Sequence, residues 1–581
     1  MVREITGSGR PGRATAGRDA ERRLRPFAVL LVVAAALVNL VRFPGAGRDD
    51  VFITLFAGET LGRGPWFLNF NYEPEEMMTS VLGALVAAFL HALVPEGTYT
   101  LNKLFTYLVS VGTLVLLWRA RRVLFGKEGA EWPAVFSVAA TGFLPVFGYW
   151  GLSGLESVPY GFLLLLYVVV FGLYVREGRA RQAAGLVTVQ ILLVLVRAEG
   201  FWILAATAVL GFLVRLRPRQ VAVLVGLPLL AFGVLLALRH HMTGGFWPNP
   251  VYAKAGDLSS AVPRGFRYLR GYYSASPLLS FHLFALLGGF AAVVRATLGR
   301  LGLPGGSVRT NPVVLAAATL VLAYESFVLL VGGNWMEYYR FLAPTVPLKN
   351  VLLAVLALPL WTGVVVGRGR QILGGVLVAV FVLAQQWMPS RTPLTVNKNC
   401  SSPLPLGQPR LVLENLFTGA TWLNCAHRRD NFSVVPFVRE ELRKYVPADR
   451  PLTVVTYQAG YFPYLVRKYF GPDEVYFLGT PGLINRRIAV LPVPKDFLGL
   501  KGASRPDWIL AGKAGPLSEA IDPEGPVLVY VLHANPVEAR NYEAMGFRRV
   551  WSGAGADVFY IENRTPLFGA GKARGSRSAS G

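Results

Sequence analysis

The chain has 581 residues, of which 53% are hydrophobic and only 16% charged, and its mean hydropathy is +0.44. A soluble chain carries roughly 25% charged residues. The deficit, with the apolar residues gathered in long runs, excludes a soluble enzyme, a disordered chain and a fibrous repeat. The formal net charge is +24, yet Lys and Arg sit in short links between apolar runs and in both tails. That is the positive-inside pattern of a polytopic membrane protein, not the footprint of a nucleic-acid binder.

A spanning helix needs about 20 mostly apolar residues. In chain order the candidates lie near 26–42, 79–94, 101–118, 132–150, 157–175, 182–196, 201–214, 221–238, 277–294, 312–331, 343–366 and 371–388. The expectation is roughly 11–13 crossings. The pair 79–94 and 101–118 is the ambiguous one: two full crossings there put the basic link from Arg119 to Lys127 on the wrong face, so one run is re-entrant or interfacial, or a later run splits. No small-residue cleavage site follows the first run, which is therefore expected to stay in place. The basic tail 1–25 and the links 176–181, 215–219, 295–309 and 368–370 are expected to be cytoplasmic. The links 150–157, 197–200, 240–276 and 332–341, and all that follows 388, then fall outside.

The first outer loop, 43–78, is polar and aromatic; its segment from Asp50 to Leu61 has the spacing of a short helix lying along the membrane interface. A second long outer loop, 240–276, is rich in aromatic and basic residues. Beyond 388 the apolar runs shrink to strand length, at 453–457, 474–478 and 527–532, with helical stretches at 435–445 and 536–545. Residues 389–568 therefore read as a small α/β domain, and 569–581 as a disordered tail. The two cysteines, Cys400 and Cys425, lie in this region; a disulfide and two unpaired thiols are both open, and a structural zinc site is excluded.

No Walker loop, GxGxxG, HExxH or GxSxG is present, which argues against nucleotide chemistry within the chain. The chemistry-bearing residues sit instead on the outer links. Asp49-Asp50 is either a general base with a coupled neighbour or a solvated pair beside Arg48. Glu156 is a second acid on the same face, and Arg197 and Glu199 share a link so short that both must lie near the membrane. Glu325 falls within a predicted span, where an acid is functional or makes a helix-packing hydrogen bond. Lys254, following Pro248-Asn249-Pro250, is a point charge suited to phosphate. The segment Gly332-Gly333-Asn334-Trp335 to Arg340-Phe341 combines close backbone approach, aromatic faces and a forked cation.

Taken in order, these motifs resemble the GT-C superfamily of integral-membrane glycosyltransferases that use polyprenyl-phosphate-linked sugars, and within it the bacterial family that includes the mycobacterial terminal arabinofuranosyltransferase. The likeness runs through Asp49-Asp50 with the helix after it, Glu76 before Thr79-Ser80, Ser153 to Glu156, Arg197-Ala198-Glu199-Gly200, Pro248-Asn249 with Lys254, and Gly332 to Trp335 followed by Arg340-Phe341 and Pro344. Pro250 stands where the family has Thr, and Asn334 where it has an acid. Asn334 cannot act as a base.

The resemblance implies an all-α GT-C-like membrane domain over 26–388 with a small extracytoplasmic α/β domain, and an outward-facing site at the surface of the cell membrane. Asp50 or Asp49 would take the proton of an acceptor hydroxyl in one inverting displacement; Arg340 and Lys254 would neutralise the leaving phosphate. Glu76, Glu156, Arg197, Glu199, Asn249, Asn334 and Trp335 would bind or support the substrates. The donor implied is a polyprenyl-phosphate-linked sugar and the acceptor an extracytoplasmic glycan, lipid or protein. No resident cofactor is implied, and a divalent cation near Asp49, Asp50 and Glu156 is the one metal the resemblance leaves room for. The competing readings are a transporter or flippase of lipid-linked sugars, against which the absence of an internal repeat counts, and a non-catalytic glycan-binding relative.

Overall fold

The computed structural model describes residues 12–43, 46, 49–126, 130–254, 258–307, 311–334, 336–356, 376, 379–380, 434–491, 506–510, 516, 525–532, 536–553 and 556–562. Cys400, Cys425, Trp335, the tail 569–581 and nearly all of the predicted run 371–388 lie outside them.

The membrane part is helical: α1 (Gly12–Arg42), α2 (Asp50–Glu59), α3 (Val81–Leu93), α4 (Thr98–Arg119), α5 (Arg121–Leu124), α6 (Glu131–Gly142), α7 (Pro145–Gly151), α8 (Ser157–Glu177), α9 (Ala180–Val196), α10 (Phe201–Leu213), α11 (Pro218–Thr243), α12 (Asn249–Lys254), α13 (Leu258–Ser274), α14 (Pro277–Arg300), α15 (Pro312–Val331) and α16 (Val346–Leu356). Among the described residues six helices are long and apolar enough to cross a membrane, a seventh span is formed if the bent pair α6–α7 counts as one, and α3, α9 and the stretch Ala198–Leu213 are apolar but shorter.

The ambiguous pair resolves by length. α3 has 13 residues, about 20 Å at ~1.5 Å per residue, against a hydrocarbon core of ~30 Å. It cannot cross alone and folds back on α4 through the turn at Pro95–Gly97. The run predicted at 132–150 is broken: α6 and α7 meet at 64°. Pro145 begins α7, and Leu144 before it is held extended at ψ 122°, because proline lacks the N–H and crowds the residue before it out of the helical region. The segment 240–276 is not a loop. α11 continues to Thr243, and α12 and α13 fill most of the rest; the basic and aromatic composition marks an amphipathic helix, with Tyr272 and Tyr273 buried and Phe266 exposed.

The short helix expected in the first outer loop is present as α2 and is largely enclosed by protein. Val51, Ile53, Leu55 and Phe56 are buried. One side lies against α3 at Gly58, where a Cβ would stand 2.6 Å from the Ala84 carbonyl; only glycine permits that approach. On its other side Phe52 meets Tyr461 and Tyr464, at ring-centroid distances of 5.0 and 5.1 Å.

Those tyrosines open α17 (Tyr461–Arg467) of the C-terminal domain. The domain carries β1 (Leu452–Thr456), β2 (Val475–Gly479), β3 (Val527–Leu532), β4 (Arg548–Ser552) and β5 (Ala556–Ile561), with α18 (Arg486–Ala489), α19 (Pro506–Leu510) and α20 (Pro536–Ala544). The sheet order is β2-β1-β3-β5-β4. β1 is parallel to β2 and β3, and β5 is antiparallel to β3 and β4. The three strands expected from the sequence are present. The β4–β5 hairpin was not expected; its strand β5 is covered on both faces, with Val558, Phe559 and Tyr560 all buried.

The edge strand β2 is covered by the 43–78 loop. Asn71 Nδ2 donates to the Phe477 carbonyl at 3.0 Å and its Oδ1 accepts from the Phe477 N–H at 2.8 Å. One side-chain amide thus supplies what a neighbouring strand would. Arg467, half-buried, donates to the carbonyls of Phe70, Gly471 and Val475, and desolvation pulls its guanidinium down to about 10.

Candidate functional site

Two clusters of buried charge form around the 43–78 loop. The first begins at Asp50, the first residue of α2. Its Oδ2 lies 3.3 Å from Arg340 Nη1. Arg340 Nη2 lies 3.0 Å from Glu156 Oε1, which also receives Arg197 Nη1 at 2.5 Å. Arg197 Nε donates to Glu199. Carboxylates and guanidiniums therefore alternate through segments that are far apart in sequence.

Local structure aims each of them. Glu156 precedes the first residue of α8, where the positive end of the helix dipole favours an acid. Arg197 is extended, at φ −149° and ψ 142°, between α9 and the tight turn Ala198–Gly200, so its side chain leaves both helix axes. Arg340 follows Tyr338 and Tyr339, both at φ 48°. Left-handed backbone at two successive tyrosines is strained. It is held by the Trp150 indole, which donates to the Tyr338 carbonyl at 3.1 Å, and by the Tyr268 hydroxyl, which accepts the Phe341 N–H at 3.2 Å.

The electrostatics are internally balanced. Burial pushes the Glu156 carboxyl up, but the guanidiniums of Arg340 and Arg197 outweigh it and hold the acid below its ordinary value. Burial opposes the Arg197 charge; Glu199, and further on Glu156, reverse that and raise it. Lys254, at the end of α12, is close enough to Asp50, Arg340, Arg197 and Glu156 to feel each of them. Among the described residues no hydrogen bond or ion pair reaches its ammonium. Its side chain remains accessible, while the protein around it lowers the ammonium below the ordinary lysine value, Asp50 opposing. Arg340 Nε is also buried and unpartnered among the described residues.

The second cluster holds Glu76, expected among the substrate-binding residues. It is 2% exposed and fully engaged: Arg239 Nε at 2.8 Å on one oxygen and Trp66 Nε1 at 2.5 Å on the other. Its carbonyl accepts from Asn249 N at 2.9 Å. Asn249 reaches Glu75 Oε2 at 3.1 Å and the Ile484 carbonyl at 3.2 Å, and Glu75 accepts from Arg486 N at 2.7 Å. Burial raises the carboxyls of both Glu75 and Glu76, Arg239 opposing it at Glu76 and hydrogen bonds at Glu75. This cluster binds α11 and α12 to the C-terminal domain.

The expected residues thus divide. Asp50, Glu156, Arg197, Glu199, Arg340 and Lys254 come together. Glu76 and Asn249 belong to the fastening cluster. Asp49 lies against Gly460, where a Cβ would meet the Asp49 carbonyl oxygen at 2.2 Å, so it faces the C-terminal domain. Asn334 Oδ1 accepts the Met336 N–H at 2.8 Å, a local turn. Glu325 pairs with Lys349 at 2.5 Å and accepts the Tyr273 hydroxyl at 2.6 Å, which makes it a tie between α13, α15 and α16. The expectation of a divalent cation is not supported by the donor set: the Arg340 guanidinium stands between Asp50 and Glu156, and among the described residues no group of three or more His, Cys, Asp or Glu is placed to hold a metal. Sequence reasoning missed Arg239, and also Tyr160 and Tyr324, whose buried hydroxyls lie near the Arg197–Glu199 pair. Nothing in the chain order marks them.

No protein-family model matches the chain, and no curated protein matches it in sequence. Among solved structures the likeness is to membrane proteins of the GT-C fold. ArnT from Cupriavidus metallidurans in the apo state matches over 93% of this chain and 98% of its own, at 13% identity and a TM-score of 0.50. The archaeal oligosaccharyltransferase AglB from Archaeoglobus fulgidus, in complex with an inhibitory peptide and a dolichol-phosphate, matches over 87% and 69% at 12% identity and a TM-score of 0.49. The arabinofuranosyltransferase AftD from Mycobacteria matches over 93% of this chain and 40% of its own, at 13% identity and a TM-score of 0.46. The chain therefore has the GT-C fold: a multi-pass helical membrane domain followed by a small α/β domain.

Proposed function

We propose that the protein is an inverting membrane glycosyltransferase that moves a pentosyl or hexosyl unit from a polyprenyl-phosphate donor to a hydroxyl of a cell-envelope glycan, lipid or protein. The observation that carries this reading is the first charge cluster: a partly exposed carboxylate, Asp50, with the shared Arg340 guanidinium and the Lys254 ammonium, which has no partner among the described residues. The order of the motifs and the fold shared with ArnT support it.

The reaction needs a base on one side of the anomeric carbon and positive charge on the other. Asp50 takes the acceptor proton as the hydroxyl oxygen bonds to that carbon. The bond from carbon to phosphate oxygen breaks, and its electron pair leaves with the polyprenyl phosphate. Lys254 and Arg340 stabilise the charge gathering there, in a site where protein has replaced much of the water. Glu156, Arg197 and Glu199 hold Arg340 in place. The donor arrives activated, so no nucleotide site is needed.

The site and the C-terminal domain lie on the extracytoplasmic face in this reading, with the basic N-terminal tail in the cytoplasm. The test is transfer by the purified full-length protein, in lipid nanodiscs, from a panel of polyprenyl-phosphate pentoses and hexoses. At least one donor should be consumed with acceptor present, and Asp50→Asn should abolish that consumption while the protein stays folded. A panel left intact by wild type, or turnover undiminished in Asp50→Asn, defeats the reading.

A further inference from the structure

The contacts of Arg340 are unequal. Its Nη2 is fixed to Glu156, 3.0 Å away, and Nη1 also meets the Met336 sulfur at 3.1 Å. The contact to Asp50 is longer, at 3.3 Å, and wetter: the Asp50 side chain is 26% exposed, against 8% for Glu156. Asp50 is thus the replaceable partner. Among the described residues the cationic groups nearby that lack one include Arg340 Nε, and no hydrogen bond or ion pair reaches Lys254 Nζ.

We infer that Arg340 is a shared cation, held by Asp50 until a phosphate group enters the site and then given over to that phosphate. The inference rests on the glycosyltransferase reading and adds an order of events to it. While Arg340 is engaged, Asp50 directs a lone pair at a guanidinium and is a poor acceptor for a hydroxyl proton. An anion seated between Lys254 and Arg340 competes for the same N–H donors. The carboxylate is then released toward the acceptor only when the donor is in place. Glu156 and the Met336 sulfur keep the guanidinium from following the phosphate out of the site. The arrangement makes Asp50 an antagonist of phosphate binding as well as a base.

This duality gives a result that a plain base does not. Binding of a short-chain polyprenyl phosphate to the full-length protein in nanodiscs, read by microscale thermophoresis, should be about three- to tenfold tighter in Asp50→Asn than in wild type, the scale of one partly exposed ion pair. Asp50→Ala, a second form in case the amide disturbs folding, should tighten it likewise. Glu59→Gln controls for removal of any carboxylate from the same loop, since Glu59 is engaged with Tyr464 at 2.6 Å, and should leave affinity within about twofold. Unchanged or weaker binding in both Asp50 variants would overturn the shared-cation inference while leaving the glycosyltransferase reading standing. No lipid-phosphate binding in any form, wild type included, would strike that reading instead. Inorganic phosphate binding as tightly as the lipid phosphate would show that the site takes a free anion, and would overturn the inferred role of the lipid-linked donor.

Discussion

The two charge clusters beside the 43–78 loop are both built on a buried arginine and its carboxylates, yet they differ in what is left over. Around Glu76 both carboxylate oxygens are taken, by Arg239 and Trp66, and Asn249 is engaged with Glu75 and backbone carbonyls. Around Asp50 the carboxylate is partly open, Lys254 has no described partner and Arg340 keeps a spare N–H. A saturated buried network specifies a geometry. An unsaturated one awaits a ligand. Exposure of Asp50 and Lys254 and the tally of unused donors and acceptors tell the two apart.

Exchanging acid for amide in each cluster should give opposite phenotypes. The largest expected effect is in Asp50→Asn: kcat/KM falls by about 10²–10⁴, with an unchanged melting temperature in detergent. In Glu76→Gln the loss is in folding. Leaving Arg239 buried without its carboxylate costs on the order of 3–5 kcal/mol, read as a lowered melting temperature, while the folded fraction keeps near wild-type turnover. Equal loss of turnover in both would erase the distinction.

Lys254 sharpens the comparison through pH. The protein around it lowers its ammonium, Asp50 opposing, so its pull on phosphate is lost as pH rises through a value below that of an ordinary lysine. The donor KM should climb as that charge is lost, and Lys254→Arg should flatten the climb, since arginine stays charged throughout. The smallest effect is at Glu75. Its raised carboxyl means that the folded state keeps a proton the unfolded chain has released. Stability should therefore decline as pH rises from the ordinary carboxylate value through the raised one. Glu75→Gln should remove part of that slope, measured by thermal unfolding across mildly acidic pH.

Much of this was legible in the residue order. Long apolar runs marked the spans, and the shift to strand-length runs marked the α/β domain. The motifs at Asp50, Glu156, Arg197 and Arg340 were visible as charged residues on short links, where burial is costly without a partner. What was not legible was who partners whom. Glu76 looked like Asp50, because Arg239 is 163 positions away and ends an otherwise apolar helix. Asp49 looked like Asp50, because facing requires the helix and the Gly460 approach to be known. The helix α13 was hidden because its pattern lacks an apolar run. The bend between α6 and α7 was signalled by Pro145, inside a run whose hydropathy alone reads as continuous.

The amide of Asn71 has a consequence beyond holding the loop. By imitating a peptide unit along the rim of β2, it seals the one margin of the sheet that lies nearest the membrane helices. Cut away from that loop, the C-terminal portion would lose the acceptor of the Phe477 N–H, while the Val475 carbonyl and the Gly479 N–H keep their partners Arg467 and Asn485. The rim of the sheet is thus completed by a side chain from the membrane part, which fixes where the domain rests on the 43–78 loop.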